Sequence, residues 1–185
     1  MTTRRQPGAS AQRLVLPIAA HTRFILVRPH YPENVGAAAR SLKTMGMSRL
    51  CLVRPGRIGR PEHPMALKMA VKSLDVLGAA PIFDSLPEAL IGVDYAVATS
   101  AKSGLAGVFT LEEAAAELER RSAQGQQLAV VFGNEKSGLS DADAALCDGY
   151  LRIPMAAAQP SINLAQACQL VAYQLFIAGL AGRSL

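Results

Sequence analysis

From residue 24 onward, short apolar runs alternate with helical segments. The runs are FILV (24–27), LCLV (50–53), PIF (81–83), YAVAT (95–99), LAVVF (128–132) and YLRI (150–153). Each is continuous rather than alternating, as befits a strand buried on both faces. The segments between them carry helix punctuation. TLEE at 110–113 is a capping box, with Thr110 able to cap and Glu113 able to answer. SLPE at 85–88 has the same form with Pro87 in the first turn, and SDADAALC at 140–147 opens on another capping candidate. In NVGAAARSLKTMG the helix is predicted to end near Met45, with Gly46 just beyond it. Strand–helix alternation of this kind predicts an α/β fold: an open, doubly wound parallel sheet with helices on both faces.

The 185 residues suit one domain. Residues 1–22 lack a sustained period and read as a flexible basic tail, leaving 23–185 as the folded unit. Half the residues are hydrophobic, Trp is absent and aromatics make up 5%, so the core must be aliphatic. The uncharged stretch 153–182 raises the question of a membrane span. Gln166, Gln169 and Gln174 interrupt it, which favours a buried helix instead. No secretory signal is visible.

Charge adds a second theme. The net charge is +5, and the excess is clustered. Residues 1–23 hold Arg4, Arg5, Arg13 and Arg23 with no acid, and residues 49–72 hold six cations against Glu62 alone. Such clusters fit either a polyanion partner, nucleic acid first, or a solvated basic face. Cys51, Cys147 and Cys168 are far apart in apolar surroundings, and neither they nor the three histidines have metal-ligand spacing. The thiols read as buried and reduced, in a cytoplasmic protein without a metal.

In a doubly wound sheet, ligands bind beyond the carboxyl ends of the strands. Four loops there carry candidate chemistry. In PENVGAAAR (32–40), Asn34 and Gly36 open a helix, Arg40 follows one turn after Gly36, and the small residues permit close approach. ATSAK (98–102) ends a strand with two hydroxyls. FGNEKSGL (132–139) is neither a P-loop nor a dinucleotide fingerprint; Gly133 would let a ligand lie against backbone, and Glu135 would need donors if buried. IPMAAAQPSINLAQA (153–167) reads as a strand end, a loop past Pro160, and a helix starting at Ser161 with Asn163 in its first turn. Taken singly, each can also be an ordinary cap or turn.

Together, NxGxxxR, then FGxExxGL, then S-I-N-L at the head of a long apolar helix, resemble the three motifs of the SpoU/TrmH-type branch of the SPOUT methyltransferases. VRPHYPENVGAAARSLKTMGMSRLCLVRP and VVFGNEKSGLSDADAALCDGYLRIP are most similar to its TrmJ-like subgroup, and the resemblance covers about residues 22–180. It implies a C-terminal deep trefoil knot, a homodimer through the C-terminal helix region, and transfer of a methyl group from S-adenosylmethionine to a ribose 2′-hydroxyl in the tRNA anticodon loop. By motif position, the cofactor would touch Thr99, Ser100, Ala101, Gly133, Ile153, Ser161, Ile162, Asn163 and Leu164. Arg40 would be the central catalytic residue, with Asn34 orienting the nucleotide and Glu135 and Asn163 ordering the site. A guanidinium holds its proton at neutral pH, and removing it costs at least ~7 kcal/mol. Arg40 is therefore better suited to clamping a phosphate and stabilising an alkoxide than to acting as a base. The segment KSGLAGVFT after Ala101 departs from the arginine-rich loop of the subgroup, which leaves rRNA as a second substrate class. A silent RNA-binding dimer of the same fold is a further alternative, disfavoured by the presence of Asn34, Arg40, Glu135 and Asn163.

Overall fold

The computed structural model describes residues 16–100, 107–156 and 162–181. In chain order the elements are α1 (Pro17–His21), β1 (Thr22–Val27), α2 (Pro32–Thr44), β2 (Leu50–Val53), α3 (Pro64–Ala70), α4 (Leu74–Gly78), β3 (Ile82–Phe83) and α5 (Leu86–Ala89). They continue with β4 (Tyr95–Thr99), β5 (Val108–Thr110), α6 (Leu111–Ala123), β6 (Leu128–Phe132), α7 (Asp141–Ala144), β7 (Gly149–Arg152) and α8 (Leu164–Leu180). The strands form one sheet in the order β3-β2-β1-β6-β4-β7-β5, and every pairing is parallel. All six apolar runs fall on strands. The seventh strand, β5, was not expected: three partly exposed residues on the sheet edge leave no apolar run to detect.

Continuous apolar runs bury both faces of the sheet because each face has its own helical cover. Phe24, Leu26, Leu50, Leu52, Val97, Leu128, Val130 and Phe132 point to the larger core with α1, α2, α3, α4, α6 and α8. Their neighbours Ile25, Val27, Cys51, Val53, Ala96, Ala98, Ala129 and Val131 face a thinner core under α5 and the residues around α7. Phe24 and Phe132 stack across β1 and β6 with ring centres 5.7 Å apart. The first face carries the leucines and phenylalanines and meets the longest helices, α2, α6 and α8, whereas the second carries valine, alanine, isoleucine and cysteine and meets four-residue helices.

Local chemistry explains several boundaries. Thr110 and Glu113 form the reciprocal capping box that starts α6. Ser85 and Ser140 accept the Glu88 and Asp143 amides at the heads of α5 and α7. Gly46 follows α2 with φ of +76°. Two expectations shift. Residues 16–22, assigned to the tail, are folded: Leu16 and Ile18 are buried and press against Gly179 of α8, where a methyl group would lie 2.9 Å from Ile18. The rest of that tail, 1–15, lies outside the described residues. The last helix begins at Leu164, so Asn163 is its cap rather than a first-turn residue. Ser161 lies outside the described residues.

Cys51 and Cys168 are buried, while Cys147 is only partly so. Burial, with Asp148 and Asp143 nearby, still pushes the Cys147 thiol up to about 12. Among the described residues no His, Cys, Asp or Glu cluster could hold a metal ion, and no helix is long and apolar enough to cross a membrane.

The small residues of α2 admit protein backbone. A methyl group on Gly36 would sit 2.0 Å from the Ala66 carbonyl oxygen of α3. Gly36→Ala must therefore push the two helices apart, and is expected to lower stability by about 1–3 kcal/mol in urea denaturation. An unchanged midpoint would contradict this packing.

Candidate functional site

The carboxyl ends of β4, β6 and β7 open into a cavity of about 340 Å³, within the usual range for a small-ligand site. Its apolar wall includes Phe132, Leu139, Leu151, Ile153, Ile162 and Leu164. Polar groups enter from Thr99 and Ser100 at the end of β4, from the 133–138 loop after β6, and from Asp141. The Thr99 hydroxyl donates to the Val131 carbonyl (3.1 Å) and the Ser100 amide to the Leu151 carbonyl (3.0 Å), so β4 ends locked between its two neighbours.

The 133–138 loop turns back on itself. The Asn134 and Gly138 backbones exchange hydrogen bonds of 3.1 and 2.8 Å, and the Asn134 side chain accepts the Lys136 amide (2.8 Å). Gly138 takes φ of +67°. A methyl group on Gly133 would meet the Gly138 carbonyl carbon at 2.1 Å. Gly133 is thus demanded first by the loop's own closure, a tighter constraint than access for a ligand.

Glu135 has its donors. Its carboxylate accepts the His30 amide (2.8 Å), the Tyr31 amide (3.1 Å) and the Asn34 side-chain amide (2.8 Å). Asn34, buried in the first turn of α2, accepts in turn from the Asn163 side chain (2.9 Å). The Asn163 oxygen receives the Ala165 and Gln166 amides at the head of α8. One hydrogen-bonded chain therefore runs from the loop after β6, through the start of α2, to the cap of α8. A second tie joins the Asn134 side chain to the Arg28 carbonyl, and Arg28 pairs with Asp143. Arg28 has a left-handed backbone, φ of +51°, a strain of roughly 1–3 kcal/mol that these contacts offset.

The model of the SpoU rRNA methylase family matches residues 21–173. The chain belongs to the SpoU rRNA methylase family. It is 38% identical over 161 residues to a tRNA (cytidine/uridine-2′-O-)-methyltransferase TrmJ of Pectobacterium atrosepticum, covering 85% of this chain and 65% of that protein. The crystal structure of a probable methyltransferase from Bordetella pertussis Tohama I superposes with a TM-score of 0.82 at 36% identity, covering 89% of this chain and 98% of that one. The structure of TrmJ from Z. mobilis gives 0.76 at 34% identity, over 85% and 69%. The chain thus spans about 65% of the length of the TrmJ relative from Pectobacterium.

With the family known, the motif residues separate into groups. Thr99, Ser100, Gly133, Ile153, Ile162 and Leu164 all line the cavity, as does Glu135. Asn34 and Asn163 adjoin it through the hydrogen-bonded chain. Ala101 and Ser161 lie outside the described residues. Arg40 stands apart: it is exposed, six positions beyond Asn34 on α2, about 9 Å along the axis. It does not line the cavity, and its guanidinium has no partner among the described residues. Sequence reasoning passed over Tyr150, Met155 and Ala167, which also line the cavity. Apolar residues at strand and helix ends carry no pattern that separates a ligand wall from core.

Glu135→Ala would leave two backbone amides and the Asn34 side chain without their acceptor. The expected loss is about 1.5–3 kcal/mol of stability in chemical denaturation, with partial recovery in Glu135→Gln. Wild-type stability in both variants would contradict the linking role of the carboxylate.

Proposed function

We propose that this chain transfers a methyl group from S-adenosylmethionine to a ribose 2′-hydroxyl of RNA, with a cytidine or uridine of the tRNA anticodon loop as the first substrate. The observation that carries the reading is the joining of all three family motifs around one cavity by the Glu135–Asn34–Asn163 chain. The cavity residues fit the donor molecule. Apolar side chains suit a flat purine, Thr99 and Ser100 can meet hydroxyls, and Asp141 adds a carboxylate for a cationic end. Bound there, S-adenosylmethionine supplies a methyl group already activated by its sulfonium.

The chain's residues then have distinct tasks. Thr99, Ser100 and the 133–138 loop shape the donor cavity, together with Ala101, Ile153 and the 161–164 segment. Asn34 and Asn163 hold that shape, since their side-chain amides are already engaged with each other and with Glu135. Arg40 meets the RNA: its fixed positive charge holds a phosphate and stabilises the 2′-oxygen as its proton leaves. A neighbouring phosphate oxygen or water takes that proton.

Arg40 lies away from the cavity of its own chain, which supports a homodimer in which each copy's Arg40 serves the other's cavity. Leu170, Tyr173 and Ile177 of α8 form an exposed apolar stripe, with Val71 and Leu74 exposed as well, a suitable seam for that dimer. The SPOUT knot is also part of the reading. Its support is the position of β7 between β4 and β5 and the packing of α8 on α2 and α6. An RNA substrate, with cysteines that are free rather than disulfide-bonded, supports a cytoplasmic setting.

The test is transfer of labelled methyl from S-adenosylmethionine to unmodified tRNA, followed by digestion to nucleosides. Label in a 2′-O-methylnucleoside is expected; label confined to bases would contradict the reading. Arg40→Ala should bind the donor normally and lose transfer by ~10²-fold or more. Near-normal turnover would remove Arg40 from its assigned role.

A further inference from the structure

The β1–α2 loop carries side chains that the methyl-donor cavity does not use. Tyr31 is 42% exposed at the head of α2. Its ring meets His30 edge-on, with centres 4.7 Å apart and planes at 84°. The Lys136 ammonium lies 3.0 Å from His30 Nε2 and 5.6 Å from the centre of the Tyr31 ring. The backbone amides of His30 and Tyr31 are fixed by Glu135, and both Glu135 and Lys136 line the cavity. An exposed aromatic ring thus sits beside a cation at the rim of the site, on a backbone anchored by Glu135.

A basic loop lies against the same residues. Gly59 packs so closely on the Pro29 carbonyl that a methyl group there would lie 2.2 Å from its oxygen and 3.6 Å from the His30 oxygen. Around it, Arg54, Arg57 and Arg60 are exposed. Arg54 has a left-handed backbone, φ of +46°, with its amide tied to Phe83. Glu62 is 3.6 Å from Arg60, and both are well exposed, so that pair holds little of the arginine's charge. Arg54 and Arg57 have no ion-pair partner among the described residues.

We propose that Tyr31, His30 and Lys136 form a stacking site for one unpaired base of single-stranded RNA, and that Arg57 and Arg60 take the flanking phosphates. This rests on the RNA reading above and names the surface that presents the target nucleotide. An aromatic face beside a cationic track is what sequence-tolerant single-strand binding needs: every base has a π-face, and every nucleotide a phosphate. A duplex keeps its bases stacked on each other and offers none to Tyr31. The site therefore selects a loop or an unpaired strand.

The test uses the full chain and a short single-stranded oligoribonucleotide with a central 2-aminopurine, titrated by fluorescence at several salt concentrations. Stacking on Tyr31 should quench the analogue. Tyr31→Phe should keep the quench, and Tyr31→Ala should abolish it and weaken binding between about 5-fold and about 150-fold. Arg57→Gln with Arg60→Gln should lower the slope of log affinity against log salt by about 1.4, two single-strand phosphate contacts. Unchanged quench and affinity in Tyr31→Ala, or tighter binding to a duplex of the same length, would overturn the proposal. Methyl transfer to tRNA is scored separately. Wild-type transfer with no rise in KM for Tyr31→Ala sinks the stacking site alone. Tyr31-dependent binding without any transfer sinks the enzyme reading and upholds the stacking site.

Discussion

A carboxylate with three donors is the constraint on which the site depends. Glu135 sits in a loop already closed on itself, and it draws together the His30 and Tyr31 amides and the Asn34 side chain. Asn34 hands the connection to Asn163, which caps α8. A half-buried carboxylate is costly without donors, and buried amides are costly without acceptors. Each group settles the other's need. The result fixes three segments, the first of them about a hundred residues or more from the other two in sequence, to one another at the cavity edge.

The sheet supplies the frame for that contact. Parallel strands with continuous apolar runs are covered on both faces, which leaves only their ends for polar chemistry. Close packing then brings the loops together. Gly36 lets α3 touch α2 backbone to backbone, Gly133 lets its loop close on Gly138, and Gly59 seats the basic loop on Pro29. In each case a side chain as small as Ala would collide with main chain.

Much of this was legible in the sequence. Continuous apolar runs marked six strands, the Thr110–Glu113 box marked α6, and the motif order pointed to the family. The loops that gather at the cavity were also picked out, because a glutamate in a Gly-rich turn and an asparagine at the head of an apolar helix are unusual as core. Other features were not legible. The edge strand β5 has three residues and no apolar run. Leu16 and Ile18 lie in a segment that looked like tail, and the helices they pack on, α6 and α8 with its Gly179, lie far along the chain. The small residues of α2 showed that something approaches closely, but not that the neighbour is the Ala66 backbone. Asn34 and Asn163 could be assigned to the site from their motifs, but their bond to each other depends on tertiary structure that local pattern does not encode.

The central claim is that the donor cavity is shaped by the Glu135–Asn34–Asn163 chain, although Asn34 does not itself line it. Calorimetric titration of S-adenosylmethionine into Asn34→Ala and wild-type protein tests this most directly. Loss of Asn34 takes one hydrogen bond from Glu135 and one from Asn163, so affinity should fall about 10-fold, the equivalent of roughly one to two hydrogen bonds, in a variant that remains folded. Wild-type affinity in a folded Asn34→Ala protein would contradict the account.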